Sequence, residues 1–228
     1  MPPLLTPEQM ARRAAAELRD GDYVNLGFGL PLLVSNVLPR DRDVLIHTEN
    51  GMIGVGPLAP PGAEDWELIN AGKQPVTELP GAAYFHQADS FAMIRGGHIA
   101  VSILGAYQVA QNGDLANWVV PGERIPRVGG AMDLAAGARR VIVLMTHLTK
   151  RGEPKLVPAC TLPLTGQRCV DLVITDLAVV AVTPDGFELR EVAPGWTPAD
   201  VQARTAAPLR VSPTCREIAL ETLSGRSG

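Results

Sequence analysis

Apolar and polar positions alternate in blocks that predict helices and strands following each other from the first residues onward. A helix is expected from about Pro7 to Arg19, because Thr6-Pro7-Glu8-Gln9 combines an N-cap hydroxyl, a proline in the first turn and a capping-box glutamine. An apolar strand, Tyr23 to Leu26, should follow, and a short helix is expected from Leu30 to Leu38 after Gly27-Phe28-Gly29. This order indicates the start of a layered α/β architecture.

Further along the chain, the apolar runs are short and continuous, as is typical of strands in a sheet covered on both faces. Strands are expected at Val44–His47, Ile99–Leu104, Val141–Met145, Val170–Thr175 and Ala178–Val182. The segment from Thr48 to Pro57 is predicted to be a glycine-rich loop at the end of a buried strand, where open α/β sheets carry their chemistry. A helix should begin after Gly130. Thr197 should cap another, although Asp200 stands where a capping box has Glu or Gln.

Composition and charge narrow the class of protein. The 228 residues are 46% apolar and carry 20 basic against 24 acidic side chains, for a net charge of −4. Without a linker or repeat we expect one domain over residues 1–228, and without a basic cluster we expect no nucleic-acid partner. No apolar run approaches the roughly 20 residues of a spanning helix. Because the N-terminus also lacks a basic start and an apolar run, a cytoplasmic protein without a membrane partner is expected.

Motifs for common site chemistries are missing or incomplete. The four histidines show no metal-ligand spacing, so no metal site is expected. No Gly-x-Ser-x-Gly elbow is present, and Leu32 stands where a dinucleotide fingerprint needs its third glycine. Gly27 and Gly29 leave two interpretations open: free backbone N–H groups for an anion or a carbonyl oxygen, or a tight packing turn.

Glu49 is the most distinctive candidate for chemistry. It follows an apolar strand and stands among small, flexible residues, although a surface glutamate is the ordinary alternative. Asn50 and Gly51 permit a sharply turned backbone, and Gly54 and Gly56 would let a ligand chain approach closely. A carboxylate is ionised at neutral pH and needs no general base to act as a nucleophile.

Seven segments, in order, resemble the B subunit of family I coenzyme A (CoA) transferases of the 3-oxoacid type. They are Asn25–Pro31, Thr48–Pro57, Leu68–Lys73, Ser90–His98, Gly113–Trp118, Gly129–Leu134 and Cys160–Gly166. The resemblance covers nearly the whole chain and implies an open, layered α/β fold of the CoA-transferase type with a mainly parallel sheet. Thr48 replaces the serine usual in the family.

The resemblance also implies roles for individual residues. Glu49 corresponds to the nucleophile, and the backbone N–H of Gly130 to an oxyanion donor whose counterpart comes from an A subunit. The implied substrate- and CoA-binding residues are Asn25, Gly27, Gly29, Asn50, Gly51, Lys73 and Asn117. The loops Pro57–Gly62 and Pro121–Gly130 are candidate covers of the site. The implied assembly is an α2β2 heterotetramer with the A subunit, and CoA is a substrate, with no further cofactor.

The implied reaction moves CoA from succinyl-CoA or acetyl-CoA to a 3-oxoacid such as acetoacetate, through an acyl-glutamyl anhydride and a glutamyl-CoA thioester. One alternative is transfer to 3-oxoadipate. Another is a non-catalytic protein of the same fold that binds acyl-CoA or a small carboxylate. A sugar-phosphate isomerase would need a base and a phosphate-binding cluster, which the sequence does not display.

Overall fold

The computed structural model describes residues 1–39, 41–122 and 129–219. These residues contain thirteen strands and five α-helices. The strands are β1 Tyr23–Leu26, β2 Leu45–Thr48, β3 Met52–Leu58, β4 Val76–Tyr84, β5 Val101–Leu104, β6 Gln108–Ala110, β7 Leu115–Ala116, β8 Val141–Leu144, β9 Leu156–Val157, β10 Leu172–Ile174, β11 Ala178–Thr183, β12 Gly186–Val192 and β13 Leu209–Glu217. The helices are α1 Pro7–Ala15, α2 Val34–Val37, α3 Gln87–Arg95, α4 Ala131–Gly137 and α5 Pro198–Gln202, and a 3-10 helix, Leu30–Leu33, runs into α2.

Ten of these strands form one sheet, in the order β13-β12-β11-β10-β8-β5-β1-β2-β3-β4. The central strands β10, β8, β5, β1 and β2 pair in parallel, so their carboxyl ends lie along one edge. β3, β4, β11 and β12 add antiparallel pairs on either side. Strands β7, β6 and β9 form a second, small sheet. The expectation of a mainly parallel α/β fold is confirmed.

The central strands explain the continuous apolar runs in the sequence. Every residue of β5 and of β8 is buried, because elements cover the sheet on both faces. Ile103 and Ile142, which are neighbours across these two strands, have no exposed surface. Six predicted strands are found at β1, β2, β5, β8, β10 and β11, with ends that differ by at most two residues.

The two predicted helix caps are present, and one expectation about them needs correction. Thr6 and Gln9 form the capping box of α1 in both directions. Asp200 closes an equivalent box at α5, because its carboxylate accepts from the Thr197 backbone N–H at 3.0 Å while Thr197 Oγ1 accepts from the Asp200 N–H at 3.2 Å. A shorter acid therefore serves where a capping box usually has Glu or Gln.

Helix α1 ends at Ala15 instead of Arg19. The N–H groups of Glu17 and Leu18 bond to the carbonyl groups of Ala14 and Ala15, three residues back, so the chain tightens into a turn. The α-helix is therefore four residues shorter at its C-terminal end than the sequence predicts.

The segment from Thr48 to Pro57 was expected to be a loop, and this is wrong from Met52 onward. β3 forms an antiparallel hairpin with β2 and pairs with β4 through a ladder that has two register shifts. A Cβ on Gly54 would lie 2.9 Å from Cα of Ala82, and a Cβ on Gly56 would collide with the side chain of Thr77. These glycines allow two strands to approach each other closely.

No helix in the described ranges combines the length and the apolar character that crossing a bilayer requires.

Substitution in the central sheet tests this core. Ile103→Ala is expected to lower the free energy of unfolding by about 2–5 kcal/mol, because it removes buried methylene groups and leaves a cavity. Val211→Ala, on an edge strand where the residue is 46% exposed, should change it by less than about 0.5 kcal/mol. Urea denaturation followed by circular dichroism measures both. Equal losses in the two variants would contradict the assignment of β5 to the buried centre.

Candidate active site

A cavity of about 480 Å³ opens where the carboxyl ends of β1, β2, β5 and β8 meet. It is lined by residues 25–28 at the end of β1, by Glu49 after β2, by residues 104–107 at the end of β5 and by residues 144–146 at the end of β8. In open α/β sheets this edge is the usual place for a ligand, because loops diverge there and backbone groups are left unpaired.

The carboxylate of Glu49 lies against the backbone of Gly130, which precedes the first residue of α4. A Cβ on Gly130 would collide with Oε2 of Glu49 and would lie 3.1 Å from Cζ of Phe91. Glycine is thus required for this approach, and the Gly130 backbone favours the ionised form of the carboxylate. The arrangement places an acid and a backbone donor side by side at the cavity wall.

The surroundings of Glu49 raise its pKa. Burial is the largest cause, since the ionised form loses solvation, and the negative charge of Asp133 in α4 adds to it. The Gly130 backbone opposes the shift, because it favours the ionised carboxylate. Asp133 is itself paired with Arg95, with 2.7 Å between Oδ1 and Nε. A carboxylate with a raised pKa is more basic, and a more basic carboxylate is a better nucleophile.

A buried chain of hydrogen bonds holds the backbone from which Glu49 projects. Ser90 Oγ donates to the carbonyl oxygen of Thr48 at 3.0 Å, and this carbonyl belongs to the peptide bond that joins Thr48 to Glu49. Because the hydroxyl has one proton, His47 Nε2 must donate to Ser90 Oγ, at 2.9 Å. His47 Nδ1 then accepts from Asn25 Nδ2 at 3.0 Å. Burial lowers the pKa of His47 to about 4, which agrees with a neutral ring.

Five of the predicted site residues line the cavity: Asn25, Gly27, Glu49, Asn117 and Gly130. The amide of Asn117 is held from both ends, since Nδ2 donates to the Gly105 carbonyl at 3.0 Å and Oδ1 accepts from Thr165 Oγ1 at 2.6 Å. The Gly27 N–H donates to the Ile103 carbonyl at 2.8 Å, so it is not free for a ligand. Gly27 therefore forms a tight packing turn against β5, and its N–H does not serve as a ligand donor.

The other four predicted residues are not among those lining the cavity. Gly51 turns the hairpin with φ of 115°, where a Cβ would collide with the Phe85 carbonyl oxygen. Asn50 donates to the Ile69 carbonyl at 3.2 Å, and Gly29 precedes the 3-10 helix with φ of 89°. Lys73 is exposed, two residues beyond Ala71, which does line the cavity.

The two loops predicted to cover the site differ in how far they can be described. No residue of Pro57–Gly62 is among those lining the cavity. The loop Pro121–Gly130 includes residues 123–128, which lie outside the described residues, and its last two residues, Gly129 and Gly130, line the cavity.

Sequence reasoning missed the residues that support Glu49 from behind. His47 and Ser90 are 43 positions apart, and no local motif joins them. The only signal was that Ser90 begins one of the resembling segments. Lys155, which also lines the cavity, carries no recognisable motif at all.

Metal-ligating side chains do not gather in this region. Among the described residues no group of three or more His, Cys, Asp or Glu side chains is placed to hold a metal ion.

Several known proteins resemble this chain in sequence or in fold. The chain is 55% identical over 206 residues to the B subunit of the 3-oxoadipate CoA-transferase of Pseudomonas putida, covering 90% of this chain and 96% of that one. It is 49% identical over 205 residues to the B subunit of a "Probable succinyl-CoA:3-ketoacid coenzyme A transferase" of Bacillus subtilis, covering 90% and 95%. In fold it matches an acyl-CoA transferase from Escherichia coli O157:H7 with a TM-score of 0.77 at 23% identity, covering 99% of this chain and 45% of that one.

The family assignment rests on more than single relatives. A family model described as coenzyme A transferase matches residues 8–204, a range that contains Glu49, Gly130 and every strand that borders the cavity. The chain therefore belongs to the coenzyme A transferase family.

Proposed function

We propose that this chain is the catalytic B subunit of an enzyme that moves CoA from an acyl-CoA, such as succinyl-CoA or acetyl-CoA, to a 3-oxoacid. The observation that carries the proposal is the contact between the half-buried Glu49 carboxylate and the Gly130 backbone at the cavity wall. A nucleophile and a donor for the developing oxyanion stand next to each other there.

In the proposed reaction, a Glu49 oxygen attacks the thioester carbonyl carbon, and the carbon–sulfur bond breaks to release CoA thiolate and leave an acyl-glutamyl anhydride. The thiolate then attacks the glutamyl carbonyl, which frees the first acid and forms a glutamyl-CoA thioester. The carboxylate of the incoming acid then attacks the glutamyl-CoA thioester, which releases CoA thiolate and forms a new acyl-glutamyl anhydride. The thiolate attacks the acyl carbonyl of the incoming acid, which leaves as its CoA thioester. Glu49 is regenerated, and neither water nor an oxidant or reductant is consumed.

Several features of the site favour these steps. Gly130 can donate to the oxyanion of a tetrahedral centre built on the acyl group beside Glu49, and one such donor is worth roughly 3–4 kcal/mol in transition-state stabilisation. Partial burial makes the carboxylate more basic. The reaction exchanges carbon–sulfur and carbon–oxygen bonds at acyl carbons and changes no oxidation state. CoA enters as a substrate, and no further cofactor is proposed.

The acceptor acid has two candidates, acetoacetate and 3-oxoadipate. Both are 3-oxoacids, and the relatives named above are described by their transfer to 3-oxoadipate or to a 3-ketoacid. Because the two acids share the reacting end, the chemistry at Glu49 is the same for both. The difference between them lies at the far end of the molecule, where the cavity residues remote from Glu49 would decide.

The proposed partner is an A subunit, in an α2β2 assembly. The relatives from Pseudomonas putida and Bacillus subtilis are both named as B subunits, which supports a second kind of chain. A second oxyanion donor would come from that second chain, completing the hole to which Gly130 contributes one N–H.

Covalent capture tests the nucleophile. After incubation of the assembled enzyme with acyl-CoA, mass spectrometry should find a CoA adduct on the peptide that contains Glu49, and Glu49→Gln should abolish both the adduct and the transfer. The exposed Glu67 offers a control, since Glu67→Gln should retain both. An adduct on another residue, or full transfer by Glu49→Gln, would overturn the proposed mechanism.

Substitution of two glycines tests the contact at Gly130. Gly130→Ala keeps the backbone N–H but is expected to lower kcat about 100-fold, because the new Cβ displaces the Glu49 carboxylate from its reacting position. Gly105 lines the same cavity, but a Cβ there would approach only the Phe28 carbonyl oxygen, at 3.8 Å. Gly105→Ala should therefore cost far less. Steady-state kinetics compares them, and similar losses would argue against a specific role for Gly130.

The pH dependence tests the electrostatics of Glu49. Attack requires the ionised carboxylate, so kcat/KM should fall as the pH drops through a pKa above the ordinary value of 4.5. Asp133→Asn removes a negative charge that raises this pKa and releases Arg95, so the acidic limb should move to lower pH. Asp89→Asn, at an exposed position of α3, is the control and should leave the limb in place. If the acidic limb of Asp133→Asn stays at the same pH or moves to higher pH, Asp133 does not raise the pKa of the group that limits the rate.

A further inference from the structure

The cavity is lined by two charged residues among those described, Glu49 and Lys155. Lys155 immediately precedes β9, and its backbone is fixed on both sides. Its N–H donates to the His147 carbonyl at 3.1 Å, and its carbonyl accepts from the Val109 N–H at 3.0 Å. The residue is 9% exposed, so its long side chain is held inside the protein instead of extending into solvent.

The ammonium group of Lys155 forms no ion pair or hydrogen bond with the residues that the structure describes. Asp176 favours its charge from beyond ion-pair distance, and Oδ1 of that carboxylate already accepts from the His147 N–H at 2.7 Å. Burial lowers the pKa of Lys155 to about 8, which leaves it mainly protonated at neutral pH. A cation on a residue that is mostly enclosed, with no partner among the described residues, is costly, so its position at a cavity wall indicates an anionic ligand.

The topology separates the two charges across the cavity. Glu49 follows β2, whereas Lys155 is bonded to the segment that follows β8, and β1 and β5 lie between them in the sheet. Three strand spacings amount to about 14 Å between strand axes. Because both residues line the space between, a short chain with a carboxylate at each end can meet both.

We propose that Lys155 determines specificity by binding the second, remote carboxylate of a dicarboxylic acid whose first carboxylate reacts at Glu49. The inference rests on the proposed CoA transfer and narrows it to acids with a carboxylate at each end, such as 3-oxoadipate. An acid that ends in a methyl group leaves the ammonium without an anionic partner, and the site then discriminates against it.

The test is a competition between two acceptors that differ only at the remote end. The assembled enzyme receives one acyl-CoA donor and equal concentrations of 3-oxoadipate and 3-oxohexanoate, which have the same number of carbon atoms. Because both acids compete for the same enzyme form, the ratio of the two CoA products gives the ratio of their kcat/KM values. The wild-type enzyme should favour 3-oxoadipate.

Lys155→Met should lower that ratio at least about tenfold, because the remote carboxylate loses its partner. Lys155→Arg keeps the charge and should keep the preference. Lys150→Met, which removes an exposed lysine from the same region, is the control and should leave the ratio unchanged. A role limited to balancing Asp176 would instead lower both products together.

The proposal is overturned if the ratio stays the same in Lys155→Met or if both rates fall in parallel. Should Lys155→Met fail to fold, the product ratio of the wild-type enzyme still tests the proposal. A wild-type enzyme that does not prefer 3-oxoadipate has no site for the remote carboxylate, and the proposal is then overturned. Transfer to neither acid by the wild-type enzyme would count against the proposed function itself. Transfer to both without preference would count only against Lys155.

Discussion

The site depends on one steric constraint: the backbone at position 130 must come so close to the Glu49 carboxylate that no side chain fits between them. Both ends of α4 obey the same rule. At its other end, a Cβ on Gly137 would collide with the Ile94 carbonyl oxygen of α3. Two glycines thus let α4 lie close to the hairpin after β2 and to α3. The distance between the acid and its backbone donor is set by packing at both ends of one short helix.

The parallel centre of the sheet turns this local contact into a cavity. Strands β1, β2, β5 and β8 end at the same edge, where Glu49 follows β2. The small sheet brings Asn117, after β7, and Lys155, before β9, to the same space. The continuous apolar runs of these strands made the centre predictable, because burial on both faces leaves little room for polar side chains. β4 and β13 were not predicted, since most of their residues are exposed and the sequence lacks an apolar run there.

The candidate site was predictable only where the signal is local. Glu49 and Gly130 were found through segments that resemble a known family, and the cavity contains both. The same glycine-rich segment misled the interpretation at Gly54 and Gly56, because a glycine that permits strand pairing and one that borders a ligand look identical in sequence. His47, Ser90 and Lys155 gain their importance from long-range contacts. No pattern along the chain encodes such pairs.

The neutral ring of His47 has a consequence for water. Each of its nitrogens already has a hydrogen-bond partner, Nδ1 accepting from Asn25 and Nε2 donating to Ser90. The histidine two residues before Glu49 therefore has no lone pair left with which to remove a proton from a water molecule. An anhydride formed at Glu49 would gain no hydrolytic assistance from this ring. His47 thus supports the backbone before Glu49 through Ser90 and is not available there as a general base.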